Sequence, residues 1–309
     1  MRSCNIALVG CTEISNEYRP IRGSKGHSTV GILTITEVEF AAACDVFDVH
    51  AQIEDTAYHA QAASADGYYP AVLRRAPDRA NTAASGAIRE MIEDFFPLFI
   101  FLVGTAGGVF ERHKKHGREH TQLGDVVVAD FIEYVEFAKI VNNEISYRKQ
   151  AHDHPSIYLR AQIADPIIAA GSWSDELQGI YPGCEHDEAR VSPIARVGNI
   201  ASGEKVFSDD KHHYQKSVTK HFSKAVAFEM ESFGVARAIF EARRNVNYSP
   251  HLLVVRGISD FTNVKSSEKD RVDWSPFAAR SALVFARSVV DKVLGRWVPF
   301  KSGEANGNV

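Results

Sequence analysis

Polar side chains that can do acid–base chemistry follow an apolar run near the carboxyl end of the chain. Leu252–Val255 leads into Arg256, Ser259 and Asp260. In α/β proteins ligands bind at the carboxyl ends of sheet strands, so a carboxylate at this place is a candidate catalytic acid. In that interpretation Arg256 and Ser259 orient the Asp260 side chain. The structural alternative is that Asp260 caps the turn at Thr262-Asn263.

A second acidic stretch lies at the predicted start of an amphipathic helix. Phe228-Glu229-Met230-Glu231 places carboxylates beside large apolar groups. A carboxylate such as Glu231 can accept both hydroxyls of a ribose, with Met230 against the sugar. The helix dipole also favours an acid at this position, which is the structural alternative.

A third acid, Glu39, follows the apolar run Val30–Ile35. The sequence Thr36-Glu37-Val38-Glu39 has the T-x-x-E pattern of a capping box before an apolar helical face. Glu39 therefore has a structural explanation, and Glu37 is the competing acid for any functional one.

A glycine-rich stretch, Gly104–Gly108, follows the apolar run Phe99–Val103. It matches neither the dinucleotide pattern G-x-G-x-x-G nor the phosphate-loop pattern G-x-x-x-x-G-K-[ST], so neither nucleotide fold is predicted. Glycines in a loop let backbone amides approach a ligand, and Thr105 adds a hydroxyl. A tight strand exit is the alternative. Polar sites at these element ends, in this order, predict one shared pocket.

The stretch Arg112–His120 is basic and rich in histidine. A solvated loop is the ordinary interpretation. His113, His116 and His120 are candidate zinc ligands, but no cysteine or acid stands at metal-ligand spacing, so no metal is predicted. The functional alternative is a clamp on phosphate groups over the glycine stretch.

The elements that must position these residues alternate along the chain. Continuous apolar runs predict strands covered on both faces, and helical patterns lie between them. This alternation predicts a three-layer α/β/α sandwich. No linker divides the chain, so residues 1–298 are predicted to form one domain, with an N-terminal extension, 1–28, and a polar tail, 299–309. The predicted strands are Ile6–Val9, Val30–Ile35, Phe99–Val103, Val126–Ala129 and Leu252–Val255, and the predicted loops are Arg112–Gln122 and Trp173–Glu188.

Composition narrows the class of protein. The chain has 309 residues, 45% hydrophobic residues and a formal net charge of −4, so nothing in it predicts a nucleic-acid or membrane partner. Its 4 cysteines form no C-x-x-C pair, which favours a reducing compartment. A cytoplasmic protein is predicted.

Five motifs in order resemble the nucleoside phosphorylase/nucleosidase superfamily, and most closely its 5′-methylthioadenosine/S-adenosylhomocysteine nucleosidase branch. The resemblance runs from about Val30 to Leu294 and implies a mixed, partly barrel-like central sheet and a homo-oligomer, either a dimer or a hexamer. It also implies a purine nucleoside ligand and no cofactor. The motifs are Gly104–Gly108, Leu123–Asp130, Ala201–Glu204, Phe228–Glu231 and Val255–Asp260.

Site roles follow from this resemblance position by position. Asp260 corresponds to the general acid at the purine N7, supported by Ser259 and Arg256, and should be largely desolvated. Glu39 corresponds to the acid that activates water, and should be wetter so that it stays ionised. The remaining correspondences are ribose binding by Glu231 and Met230, base stacking at Val206 and Phe207, and a place beside the anomeric carbon for Thr105, Ala106 and Gly107.

The predicted activity is hydrolysis of an N-glycosidic bond with release of adenine. The chain departs from the pattern in its N-terminal extension, in the basic stretch, and in lacking recognisable apolar residues for a 5′-thioalkyl group. Arg112–His120 therefore suggests 5′ phosphates, as in ATP, ADP or AMP. Related nucleosidase domains are immunity effectors, which implies a role in antiviral defence. Two alternatives stay open, a phosphorylase, for which Arg19, Arg22, Arg74 and Arg75 are available, and a non-catalytic nucleotide sensor.

Overall fold

The computed structural model describes residues 28–54, 57–64, 67–109, 121–142, 144–148, 155–182, 191–208, 211–244, 247–264 and 267–296. The predicted strand Ile6–Val9, the basic stretch Arg112–His120 and the polar tail lie outside these residues, as do Arg19 and Arg22. Within them, no helix is long and apolar enough to cross a membrane.

A mixed sheet of nine strands organises the described residues, in the order β10-β9-β6-β11-β5-β1-β4-β3-β2. An additional antiparallel pairing of β10 with β5 closes five of these strands into a barrel, and β1 to β4 extend it as an open sheet. A separate hairpin joins β7 to β8. The strands are β1 Val30–Thr34, β2 Asp48–Glu54, β3 Ala57–Ser64, β4 Gly67–Arg75, β5 Phe99–Gly108, β6 Val126–Tyr134, β7 Ala138–Val141, β8 Glu144–Tyr147, β9 Ala195–Ser202, β10 Ala225–Glu229 and β11 His251–Phe261.

Helices cover both faces of the sheet. One buried cluster joins the sheet to α1, α6 and the irregular helices, and the other joins it to α2 and α5. The three-layer arrangement with a partly barrel-like mixed sheet is therefore confirmed. The helices are α1 Glu37–Val46, α2 Ala80–Phe95, a π-helix Tyr158–Ala164, α3 Asp165–Ala170, a 3-10 helix Ser172–Ile180, α4 His213–His221, α5 Ser232–Ala242 and α6 Ser267–Leu294.

The glycine-rich stretch is not a loop, and this prediction is wrong. Gly104–Gly108 continues β5, where it pairs with β11 and, at Gly107 and Gly108, with β10. The glycines are needed for close approach rather than for a turn. A Cβ on Gly104 would lie 2.5 Å from Arg256 Nη1 and 2.7 Å from Glu39 Oε1.

Two other boundaries differ from the predictions. Part of the predicted loop Trp173–Glu188 is the 3-10 helix, because Trp173 and Leu177 are buried and Trp173 packs edge-on against Phe285 of α6. Phe228 and Glu229 end a strand rather than open a helix, and α5 begins only after Glu231. Ser172–Ile180 is mostly polar and short, so its few apolar residues do not separate it from a loop in the sequence.

Candidate active site

One cavity of about 210 Å³ collects the acids that the sequence singles out. It opens where β1, β5, β10 and β11 end, and Glu39, Glu231 and Asp260 all line it. Ten of the eleven predicted site residues line this cavity: Glu39, Thr105, Ala106, Gly107, Val206, Phe207, Met230, Glu231, Ser259 and Asp260. Arg256 is the exception, since it lies buried beneath the cavity.

Glu39 connects the start of α1 to strand β5. Its Oε2 accepts hydrogen bonds from the amides of Ile35 (3.0 Å) and Thr36 (2.9 Å), and the Thr36 hydroxyl accepts the Glu39 amide. The capping box is therefore present. Its Oε1 accepts the Thr105 amide at 2.7 Å and the Thr105 hydroxyl at 3.0 Å. Glu37 is exposed and does not line the cavity, so the structure favours Glu39 as the functional acid.

The expected contrast in solvation between Glu39 and Asp260 is wrong. Glu39 is 2% exposed and Asp260 is 3% exposed, so both are buried to the same degree. They differ in their hydrogen-bond donors: Glu39 accepts from three backbone amides and one hydroxyl, whereas Asp260 accepts from two serine hydroxyls and an arginine.

Three buried groups form an ion cluster under the cavity. Arg256 Nη2 pairs with Glu229 and, at 3.3 Å, with Glu231 Oε2. Arg256 stands opposite Gly104 in the paired strands, and the missing Cβ gives its guanidinium room to cross between them. The prediction that Arg256 supports Asp260 is therefore wrong. Burial tends to lower the pKa of Arg256, but Glu229, Glu231 and Glu39 outweigh it and raise the pKa.

Glu231 precedes α5 and is held by α2 as well. Its Oε1 accepts the Ala80 amide at 3.1 Å, and Ala80 has a left-handed backbone (φ 78°) at the start of α2. Such a backbone costs about 1–3 kcal/mol in a residue other than glycine and often marks a functional site. Burial raises the pKa of Glu231 to about 7; the charge of Arg256 opposes this rise and that of Glu229 adds to it.

Asp260 takes its partners from β11 and from α6. Its Oδ1 accepts the Ser259 hydroxyl at 2.8 Å, as the sequence predicts for Ser259. Its Oδ2 accepts the Ser267 hydroxyl at 2.8 Å and Arg271 Nη2 at 3.2 Å. In the paired strands Asp260 faces Gly107, whose missing Cβ leaves space beside the carboxylate.

A hydrophobic wall faces the acids. Phe207 is buried, with its ring 5.2 Å from that of Phe228, and Val206 is 52% exposed at the cavity. Flat apolar surfaces of this kind suit a heterocyclic base. Met230 also lines the cavity.

Sequence reasoning missed several residues of the site. The sequence gives Glu229 no role of its own within its motif. In the structure Glu229 pairs with Arg256 and accepts hydrogen bonds from the amides of Glu231 and Ser232. Arg271 gave no signal, because it stands on an ordinary charged helix turn 11 residues after Asp260. Within the described residues, no group of His, Cys, Asp and Glu is arranged to hold a metal ion.

Comparisons with known proteins assign the fold. No family model matches the sequence, and no curated protein matches it. Solved structures do match. An S-adenosylhomocysteine nucleosidase from Streptococcus pyogenes, in complex with 5-methylthiotubericidin, is 18% identical with a TM-score of 0.64, over 88% of this chain and 99% of that chain.

Two further structures agree. A 5′-methylthioadenosine/S-adenosylhomocysteine nucleosidase from Colwellia psychrerythraea, in complex with adenine, is 20% identical with a TM-score of 0.63, over 87% of this chain and 97% of that chain. Futalosine hydrolase of Helicobacter pylori is 16% identical with a TM-score of 0.62, over 84% and 96%. The fold of this chain is therefore the fold of the 5′-methylthioadenosine/S-adenosylhomocysteine nucleosidases.

Proposed function

We propose that the protein is a purine nucleosidase that hydrolyses the N-glycosidic bond of an adenine nucleoside or nucleotide. The observation that carries the proposal is the convergence of Glu39, Glu231 and Asp260 on one cavity with an aromatic wall. A structure with the same fold holds adenine, which fits a cavity of this composition. Two acids that can transfer protons and a carboxylate that can bind ribose suit the cleavage of this bond.

The proposed reaction transfers two protons. A water oxygen attacks the anomeric carbon, the bond from that carbon to N9 breaks, and its electron pair goes to the purine. Asp260 gives a proton to N7, and Glu39 takes a proton from the water. Glu231 holds the 2′- and 3′-hydroxyls. The products are adenine and a ribose bearing a new hydroxyl at the anomeric carbon.

A purine approaching Asp260 must displace one of the donors that contact it. Ser259 and Ser267 are buried, whereas the Arg271 side chain is 36% exposed. We therefore expect Arg271 to withdraw from Asp260 when the base binds, which leaves the serines to orient the carboxyl group.

Water is favoured over phosphate as the acceptor. Phosphate would need donors such as the Thr105 amide and hydroxyl, but Glu39 Oε1 already accepts both. Glu39 also places negative charge where a phosphate would bind. Arg74 pairs with Glu90 and lies 3.7 Å from Asp94 of α2 instead of lining the cavity.

A 5′-phosphorylated substrate such as ATP, ADP or AMP is the finer part of the proposal. Arg79, Lys205 and Arg271 line the cavity, and guanidinium and ammonium groups suit phosphate oxygens. Lys205 already contacts Glu136, so exposed Arg79 and the Arg271 that withdraws from Asp260 are the cations that we expect to meet the phosphates. A role in antiviral defence, a cytoplasmic location and a dimer or hexamer rest on the family resemblance and the composition and stay predictions.

The test is a product assay on adenosine, AMP, ATP and methylthioadenosine, each with and without inorganic phosphate. We expect free adenine and free ribose, or its 5′-phosphorylated form, at a rate that phosphate does not change. Formation of ribose 1-phosphate only in the presence of phosphate would indicate a phosphorylase. Tight binding of a nucleotide without release of adenine would indicate a sensor. Cleavage of methylthioadenosine with ATP untouched would reject the nucleotide proposal alone.

A further inference from the structure

The aromatic side of the cavity is built from a segment without regular secondary structure. Gly203–Phe207, which we call the wall segment, follows β9 and supplies Lys205, Val206 and Phe207 to the cavity. A segment without a backbone ladder needs other contacts to keep its side chains in place. The contacts that fix the wall segment therefore decide how well the base site is formed.

The beginning of the wall segment is anchored by backbone and buried contacts. The Gly203 amide donates to the Glu229 carbonyl at 3.0 Å. Asn81 of α2 donates to the Gly203 carbonyl at 3.0 Å and to Glu204 Oε1 at 2.9 Å. These bonds hold the segment where it leaves the sheet, but they do not reach Lys205 or the residues that line the cavity beyond it.

Glu136, just after β6, holds the next part of the segment. Its Oε1 accepts the Glu204 amide at 3.1 Å, and both of its oxygens lie 2.8 Å from Lys205 Nζ. Burial alone would raise the pKa of Glu136, but the hydrogen bonds from Lys205 and the Glu204 amide outweigh it and lower the pKa. The ionised form of Glu136 is therefore the form that holds the segment.

Tyr214 of α4 completes the cluster. Its hydroxyl donates to Glu136 Oε2 at 3.1 Å, and Lys205 Nζ lies 4.9 Å from the centre of its ring. The ring centre is also 6.1 Å from that of Phe207. One acid thus joins β6, the wall segment and α4 at the edge of the cavity, and Glu136 itself does not line the cavity.

We propose that Glu136 is a positioning residue for the base-binding wall, and that it sets the affinity for the purine rather than the rate of bond cleavage. The proposal rests on the proposed function, because it takes the wall segment to contact the base. Glu136 acts through the Glu204 amide, Lys205 and Tyr214 rather than by contact with the ligand, because it does not line the cavity.

The test combines amide hydrogen exchange with adenine binding in four variants. Glu136→Ala removes the whole cluster, Glu136→Gln keeps its shape without its charge, and Tyr214→Phe keeps the ring that packs on Phe207. Glu176→Gln is the matched control, since Glu176 is an exposed acid on the 3-10 helix. Charge-assisted hydrogen bonds are the stronger kind, so in Glu136→Ala we expect exchange at the Glu204 amide to be about tenfold faster and adenine binding about tenfold weaker.

The other variants should change exchange and adenine binding by amounts that fall in a defined order. Glu136→Gln should lie between Glu136→Ala and the wild type, Tyr214→Phe should have a smaller effect of the same sign, and Glu176→Gln should have none. KM for the nucleoside should rise with adenine Kd while kcat stays within about threefold.

Exchange at 203–207 that is unchanged in Glu136→Ala would overturn the proposal, whatever the activity. Faster exchange with unchanged adenine affinity would also overturn it, because the wall segment would then not contact the base. A wild-type protein that binds no adenine would instead contradict the proposed function, and the exchange result would still show whether Glu136 holds the segment.

Discussion

The ionisation of Glu231 is the property of a single residue from which a pH dependence follows. Burial raises the pKa of Glu231 to about 7, and the ionised carboxylate is the form that accepts two ribose hydroxyls. We expect the affinity for a nucleoside to increase as the pH rises through about 7. Isothermal titration with a slowly cleaved adenosine analogue, from about pH 5.5 to about pH 8.5, measures this change.

Free adenine is the control ligand, since it has no ribose and its affinity should not follow the Glu231 titration. Stability should change in the opposite direction. Because the folded pKa of Glu231 lies above its ordinary value of 4.5, its contribution to stability is complete below about pH 4.5 and is lost as the pH rises through about 7. Glu231→Gln should remove both dependences, and a nucleoside affinity that stays constant across this range would contradict the assignment of Glu231 to the ribose.

The proposed roles of Asp260 and Glu39 give a prediction on rate. Asp260→Asn and Glu39→Gln should each lower turnover by about 10²–10⁴, because each removes one positioned proton transfer. Adenine release under single-turnover conditions measures this. Circular dichroism should show that both variants fold, and full activity in either one would reject its role.

Glu39→Gln should also lower the stability of the protein. Both oxygens of Glu39 accept hydrogen bonds from backbone amides, so the NH₂ group of a glutamine must face a donor. Leaving one buried donor without an acceptor costs roughly 1–3 kcal/mol, and urea unfolding should show a loss of that size for Glu39→Gln.

At the scale of the elements, the packing of α6 on β11 depends on a glycine. A Cβ on Gly257 would overlap the carbonyl oxygen of Ala278 in α6. We expect Gly257→Ala to force the helix away from the strand that carries Asp260, with a loss of about 1–3 kcal/mol or more in unfolding free energy and a fall in kcat. Urea unfolding and the adenine-release assay measure the two effects.

Gly86 is the matched control for this substitution. It lies exposed in α2, and a Cβ there would meet nothing within 4 Å. Gly86→Ala should stabilise the protein by about 0.5–1 kcal/mol, because alanine has the higher helix propensity. If Gly257→Ala were as harmless as Gly86→Ala, the close approach of α6 to β11 would be wrong.

The sequence predicts the strands that contain long apolar runs and misses others, among them β4 and β10, although Ala71–Leu73 and Ala227 are buried. Val30–Thr34, Val126–Tyr134 and His251–Phe261 contain continuous apolar runs, and each is a strand of the sheet. The strands β2 to β4 were missed, since Ala57–Ser64 and its neighbours mix alanine with polar residues. Glycine in a strand looks like a turn in the sequence, so the extension of β5 through Gly108 was missed as well.

The site was predicted better than the strands around it, for a physical reason. Asp260, Glu231 and Glu39 stand next to element ends, and element ends of one sheet converge in space. Long-range partners left no local trace. Arg256 contacts Glu229 rather than Asp260 because of the register between β11 and β5, and neither that register nor the reach of Arg271 from α6 can be read from spacing.

For the molecule as a whole, the cavity joins the closed barrel to the open part of the sheet. Glu39 follows β1 of the open part, whereas Glu231 and Asp260 belong to barrel strands or directly follow them. A ligand in the cavity contacts both parts. The interpretation of residues 1–298 as one domain therefore predicts a single unfolding transition that adenine shifts as a unit.

Two spectroscopic probes that follow different parts of the protein during unfolding test this prediction. Fluorescence reports on the chain's 3 tryptophans, of which Trp173 is buried against α6, and far-ultraviolet circular dichroism reports on all elements. Adenine at 100 times its Kd should stabilise the folded state by about 2.7 kcal/mol, which raises Tm by about 5 °C for a protein of this size. Both transitions should coincide with and without adenine.

Phe207→Ala supplies the decisive comparison. Phe207 packs on Phe228 at the wall of the cavity, so its removal should weaken adenine binding and, at the same adenine concentration, give a smaller shift in Tm. The two probes should still coincide, because the variant changes the ligand site and not the connection between barrel and open sheet. If adenine moved only one of the two transitions in the wild type, the described residues would contain more than one folding unit. The interpretation of residues 1–298 as one domain would then be wrong.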